Sequence, residues 1–117
     1  MWFHVSTYLI LLFLGCGILW IVLGIPMIGG MVARNGIYGF RTPKTLASDH
    51  VWYPANRYAG KEMVKAGRLV VIGSVLMFGV NFLFGLSSQT VAVGGTVLLL
   101  VPLMIAVIRS FIYLRTL

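Results

Sequence analysis

The stretch VSTYLILLFLGCGILWIVLGIPMI, residues 5–28, holds no charged side chain, and Ser6, Thr7 and Tyr8 near one end bring its only hydroxyls. Roughly 20 apolar residues suffice to cross the hydrocarbon core of a bilayer, so this stretch predicts a membrane span. Trp2 and Phe3 precede it as interfacial anchors, while Pro26 and Gly29-Gly30 mark its end. Working outward, two more apolar stretches cover residues 69–86 and 91–108, separated by the polar turn Ser87-Ser88-Gln89-Thr90. Arg68 and Arg109 flank them and can snorkel to the interface. Neither is long enough to cross twice, so they predict a helical hairpin. The expected fold is an all-α membrane protein, residues 1–117 forming a single unit of three transmembrane helices with a loop over 31–68.

Composition agrees. Of 117 residues, 60% are hydrophobic and 9% charged, against about a quarter charged in a soluble domain. Nine bases against two acids give a net charge of +7. In a soluble chain that sign points to nucleic acid. Beside long apolar runs it points instead to anionic lipid headgroups, and no nucleic-acid partner is expected. Cys16 is the only cysteine, which rules out an intrachain disulfide or a multi-cysteine metal site. Phe13-Leu14-Gly15-Cys16 faintly matches a lipoprotein processing site, but no base precedes it and the apolar run continues past it. A retained N-terminal helix is therefore expected.

The bases also set an orientation. Arg34, Arg41, Lys44, Arg57, Lys61, Lys65 and Arg68 lie between the first and second spans, and Arg109 and Arg115 follow the third. Three crossings put all of them on one side. The positive-inside rule makes that side cytoplasmic, with the N-terminus outside and the C-terminus inside.

Within the spans, Gly15, Gly17, Gly24, Gly73, Gly79, Gly85, Gly94 and Gly95 allow close helix approach, which is what holds helices together in lipid. The same faces leave a homo-oligomer open. Asn81 is the strongly polar residue deep in a span, expected to hydrogen-bond across helices or at a subunit contact. Pro102 is expected to kink the third helix and free a carbonyl near Leu98.

The loop carries most of the information. Asn35-Gly36 and Gly39 read as turn positions. Thr42-Pro43 reads as an N-cap and first residue opening one short helical turn. Ser48 or Asp49 can cap a second helix with a bend at Pro54. On that helix Arg57, Lys61, Lys65 and Arg68 form one stripe, and Trp52, Asn56, Gly60, Met63 and Gly67 a neighbouring one. Such an amphipathic helix is expected to lie along the inner headgroup layer before turning into the second span. Arg41, Trp52, Asn56 and Arg57 admit two readings. They line a polar pocket for a lipid headgroup or peptide terminus, or they satisfy the loop's own carbonyls.

The run Arg34-Asn35-Gly36-Ile37-Tyr38-Gly39-Phe40-Arg41-Thr42-Pro43-Lys44-Thr45-Leu46, followed by Trp52-Tyr53-Pro54-Ala55-Asn56-Arg57-Tyr58-Ala59-Gly60, resembles the signature of the SdpI family of bacterial membrane proteins. The matching positions are Asn35, Gly39, Arg41, Thr42, Thr45, Leu46, Trp52, Asn56, Arg57 and Gly60. The resemblance implies a three-helix unit in the bacterial cytoplasmic membrane. It also implies immunity against a membrane-active killing peptide, or signalling to a cytoplasmic regulator. The family's namesake has further helices, and this chain has room for three spans, so immunity or signalling could belong to the part not shared.

Other functions fit the residues less well. A proton-coupled carrier needs an ionisable group inside the membrane, and Asp49 and Glu62 are both expected in the loop. An enzyme would draw on His4, Cys16, Asp49, His50 and Glu62, which contain no paired-histidine metal motif and no serine elbow. No catalysis, metal or cofactor is expected. A small accessory or transporter-like subunit of a larger membrane complex is the alternative to immunity or sensing.

Overall fold

In the computed structural model the backbone is described for residues 2–117 and side chains from Val5 onward. The proposed anchors Trp2 and Phe3, and His4 with them, have side chains outside the described residues. The chain forms four helices: α1 (Trp2–Ile28), α2 (Pro43–Ala47), α3 (Asp49–Phe84) and α4 (Ser88–Leu114). Among the described residues α1, α3 and α4 are long and apolar enough to cross a membrane. The protein is thus an all-helical, multi-pass membrane protein with a short helix between its first two long ones.

The ends of α1 and α2 follow from their sequence. Gly30 takes φ 68°, and Met31 N–H reaches Pro26 O at 3.0 Å while Gly30 N–H reaches Met27 O at 3.3 Å. This is a Schellman closure, which needs the left-handed residue that glycine supplies without strain. At α2, Thr42 and Thr45 form a reciprocal capping box with Pro43 in the first turn.

The second long helix departs from the expectation. The headgroup-layer helix and the second span are one continuous helix of 36 residues, running through Pro54 without a break. Ser48 is its N-cap through its backbone and makes no side-chain cap bond, while Asp49 pairs with Arg34 at 2.8 Å. The apolar windows 69–86 and 91–108 locate the apolar parts of α3 and α4 but stop short of their ends at the basic side. α1 packs closely along α3. A Cβ added at Gly60 would stand 2.8 Å from Gly24 O, and one at Gly67 would stand 2.7 Å from Gly17 O. Each helix places its two glycines seven residues apart, so a single antiparallel register brings both pairs together. The stripe of Trp52, Asn56, Gly60 and Gly67 is therefore the buried face of α3, and Arg57, Lys61, Lys65 and Arg68 remain exposed.

α4 completes the bundle. Phe13 lies in the notch at Gly95, where a Cβ would run into its ring, and Ile10, Phe13 and Val91 form the core there. Gly73 receives the Leu98 side chain. At the α3–α4 turn, Asn81 does what a polar residue in a span must do to be satisfied. Its Oδ1 accepts Leu86 N–H at 2.9 Å and its Nδ2 donates to Thr7 Oγ1 at 3.4 Å. Ser6 Oγ donates to Leu86 O at 2.8 Å. By contrast, a methyl group added at Gly15 or Gly79 would meet nothing within 4 Å, so both face outward. The loop and the C-terminus meet at the same end of the bundle, where Lys44 Nζ donates to Leu114 O at 2.9 Å.

Candidate functional site

Most of the loop's motif residues build the loop itself. Asn35 uses its whole amide. Nδ2 donates to Ala33 O (2.7 Å) and Tyr38 O (2.9 Å), and Oδ1 accepts from Ile37 N (2.8 Å) and Tyr38 N (2.7 Å). Gly39 takes φ 121°, and a Cβ there would lie 2.6 Å from Asn56 Oδ1 and 3.0 Å from the Trp52 ring. Asn56 Oδ1 accepts Phe40 N–H at 2.7 Å, and its Nδ2 donates to Trp52 O at 3.0 Å. Trp52 is fully buried and its Nε1 donates to Val32 O at 2.7 Å. Arg57 Nε donates to Ile28 O at 3.2 Å, at the open carbonyl end of α1.

Thr45 is likewise fully buried, accepting Thr42 N–H at 2.7 Å and donating to Phe40 O at 2.9 Å. Thr45→Ala removes both bonds, the first of which is half the capping box. It is expected to lower unfolding free energy by about 1–2 kcal/mol in a denaturant titration.

Arg41 differs. It is exposed, and Nη1 donates to Gly36 O at 2.5 Å, leaving donors to spare. It stands at the rim of a cleft of about 400 Å³ bounded by α1, α3, α4 and the loop. Trp20 and Leu23 of α1, Met63 of α3, and Leu103 and Phe111 of α4 supply apolar walls. Tyr38 lies on the loop side, its hydroxyl donating to Leu23 O. Burial pushes that phenol above its ordinary pKa. No acidic side chain lines the cleft among the described residues.

Of the four residues foreseen around a pocket, then, only Arg41 lines the cleft. Trp52 and Asn56 sit beneath the loop and Arg57 turns to α1. The cleft walls were not foreseen, since they come from three helices distant in sequence and are ordinary apolar residues. α4 is held over the cleft at this end by Phe40 against Phe111 (centroids 5.1 Å) and Tyr58 stacked on Tyr113 (4.2 Å).

A second group was also missed. Glu62, expected in the loop, lies inside α3 and is 5% exposed. Its Oε1 accepts from Arg109 Nε at 2.9 Å and from Lys65 Nζ at 3.5 Å. The sequence does hold a signal for this. Glu62 is the lone acid in a basic segment, and Arg109 is the base flanking the neighbouring apolar stretch.

The fold and this basic end define a small helical membrane protein with an ordered motif loop closing one end of its bundle. The chain belongs to the SdpI/YfhL protein family, whose model matches residues 31–114. That range takes in the whole loop, α3 and α4. A relative from Bacillus subtilis (strain 168), the uncharacterized protein YfhL, is 32% identical over 65 residues, which cover 50% of this chain and 58% of the relative. No solved structure matches the chain.

Proposed function

We propose that the protein serves in the bacterial cytoplasmic membrane as an immunity or sensing protein against a membrane-active peptide, its basic end facing the cytoplasm. The observation that carries this reading is the apolar cleft with Arg41 at its rim. Apolar side chains of a peptide in the membrane pack against these walls by van der Waals contact, which is what joins helices in lipid. A carboxylate on that peptide meets the planar guanidinium fork of Arg41, and a lipid phosphate would offer it the same chemistry. Seating a segment between α1 and α4 displaces the Phe40–Phe111 contact that holds α4 to the loop, and this is how occupancy reaches a cytoplasmic regulator.

The test is to express the protein in a sensitive bacterium, challenge it with membrane-active peptides, and compare variants at matched membrane levels. Arg41→Ala is expected to lower the protective peptide concentration about tenfold, the worth of one charge-assisted hydrogen bond at the low end. Arg57→Ala, whose residue lies outside the cleft, is expected to protect nearly as wild type. Full protection by Arg41→Ala, or none by wild type against any peptide, sinks the reading.

The transporter-like alternative draws on Glu62, an ionisable group within a candidate span. Its near partners are both bases, as in a structural ion pair, so immunity or sensing is preferred.

A further inference from the structure

The seam between α3 and α4 at the basic end carries an arrangement the cleft does not use. Glu62 faces Arg109 and Lys65, so the three side chains together hold one net positive charge. The carboxylate is buried, yet the side chains of Lys65 and Arg109 remain 61% and 52% exposed. Arg109 gives Nε to Glu62, which leaves its Nη groups with donors to spare. Beside the charges, a shallow groove of about 170 Å³ runs over Ala66, Leu69, Pro102 and Ile105.

The order of these residues identifies the occupant. Leu69 lies one turn beyond Lys65 on α3, and Ile105 and Pro102 lie one and two turns before Arg109 on α4. Because the helices are antiparallel, both pass from charge to hydrocarbon in the same direction, over about 6 Å on α3 and about 10 Å on α4. One bilayer leaflet has that same gradient, from phosphate to acyl chain. A free anion would use the bases and gain nothing from the apolar floor. A peptide strand laid there would set its backbone polar groups against Leu69 and Ile105 without partners.

We propose that this seam is a binding site for an anionic phospholipid. The phosphate rests on Lys65 and Arg109, and an acyl chain follows Ala66, Leu69, Pro102 and Ile105. Glu62 is a positioning residue that fixes the spacing of the two bases.

The experiment is native mass spectrometry of protein purified in neutral detergent, with phosphatidylglycerol or phosphatidylcholine added at equal mole fraction. Wild type is expected to retain phosphatidylglycerol over phosphatidylcholine by about fivefold or more, and Lys65→Gln to lose about fivefold of that retention. Arg109→Gln alone leaves the buried Glu62 with only its longer contact to Lys65, so the paired variant Glu62→Gln/Arg109→Gln removes that base and the acid together. It is expected to lose a similar factor with wild-type circular dichroism. Arg115→Gln, a base away from the seam, is expected to retain lipid as wild type does. The proposal is overturned by equal retention of the two lipids, or by undiminished retention in both seam variants. A loss in Arg115→Gln as large as in Lys65→Gln also overturns it, as does displacement of the lipid by inorganic phosphate.

Discussion

Protein carrying Gly67→Leu is expected to lose its α1–α3 packing and unfold at far lower denaturant, while Gly79→Leu melts as wild type or slightly above it. The difference lies in what each new side chain meets. At Gly67 even a methyl group would sit 2.7 Å from Gly17 O and 2.8 Å from Ile21 Cγ1; at Gly79 it meets nothing within 4 Å. A backbone carbonyl cannot swing aside, so the helices must part. Overfilling a packed site costs about 1–3 kcal/mol in ordinary cores. Here the cost is expected at the upper end or beyond, because lipid supplies no hydrophobic force to draw separated helices back together. Gly60→Leu, opposite Gly24, is expected to behave alike. Unfolding in a mixed-micelle SDS titration, followed by tryptophan fluorescence, measures this. If Gly67→Leu and Gly79→Leu unfold together, close glycine contact is not what joins α1 to α3.

Trp52→Ala is expected to cost about 3–5 kcal/mol, the range for truncating a buried tryptophan. Trp52 has no exposed surface, its ring lies under Gly39, and its Nε1 holds Val32 O. Truncation empties the space beneath the loop and leaves that carbonyl without its donor. Trp52→Phe restores most of the volume and is expected to cost about 1 kcal/mol for the lost hydrogen bond. Hydrogen exchange over residues 32–40 should report local loosening in Trp52→Ala before global unfolding. Arg41→Ala is expected to change stability by no more than about 0.5 kcal/mol, as for an exposed side chain. A Trp52→Ala protein as stable as wild type would show that the loop does not depend on the indole. The contrast separates two motif residues that look equally important in the sequence: one builds the loop, the other faces the cleft.

That contrast marks how far the site was legible. Asn35 and Thr42 announce their turn and cap roles through local rules, since their partners lie within a few residues, and Gly39 shows its turn role although it packs against the distant Trp52 and Asn56. Trp52, Asn56 and Arg57 could be recognised as a set, but which of them faced a ligand could not. Their partners, Val32, Phe40 and Ile28, lie 16 to 29 residues away. Glu62 was misplaced for a related reason. The bases around it suggested a helix lying in the headgroup layer, whereas Glu62 points inward to α4 while Lys61 and Lys65 point out.

By itself the sequence determined that this is a membrane protein of three long helices with its bases at one end, where α1 stops, and where α2 and α3 start. Those outcomes depend on apolar length, charge and local capping, which are properties of contiguous residues. The tertiary structure decided that the helix opening at Asp49 runs on into the second span as one α3, that Gly17 and Gly24 meet Gly67 and Gly60, that Glu62 bridges to α4, and that Arg41 alone of the foreseen pocket residues lines the cleft. Each of these is set by which helix faces come within a few ångströms of one another. That register exists only once the helices have packed.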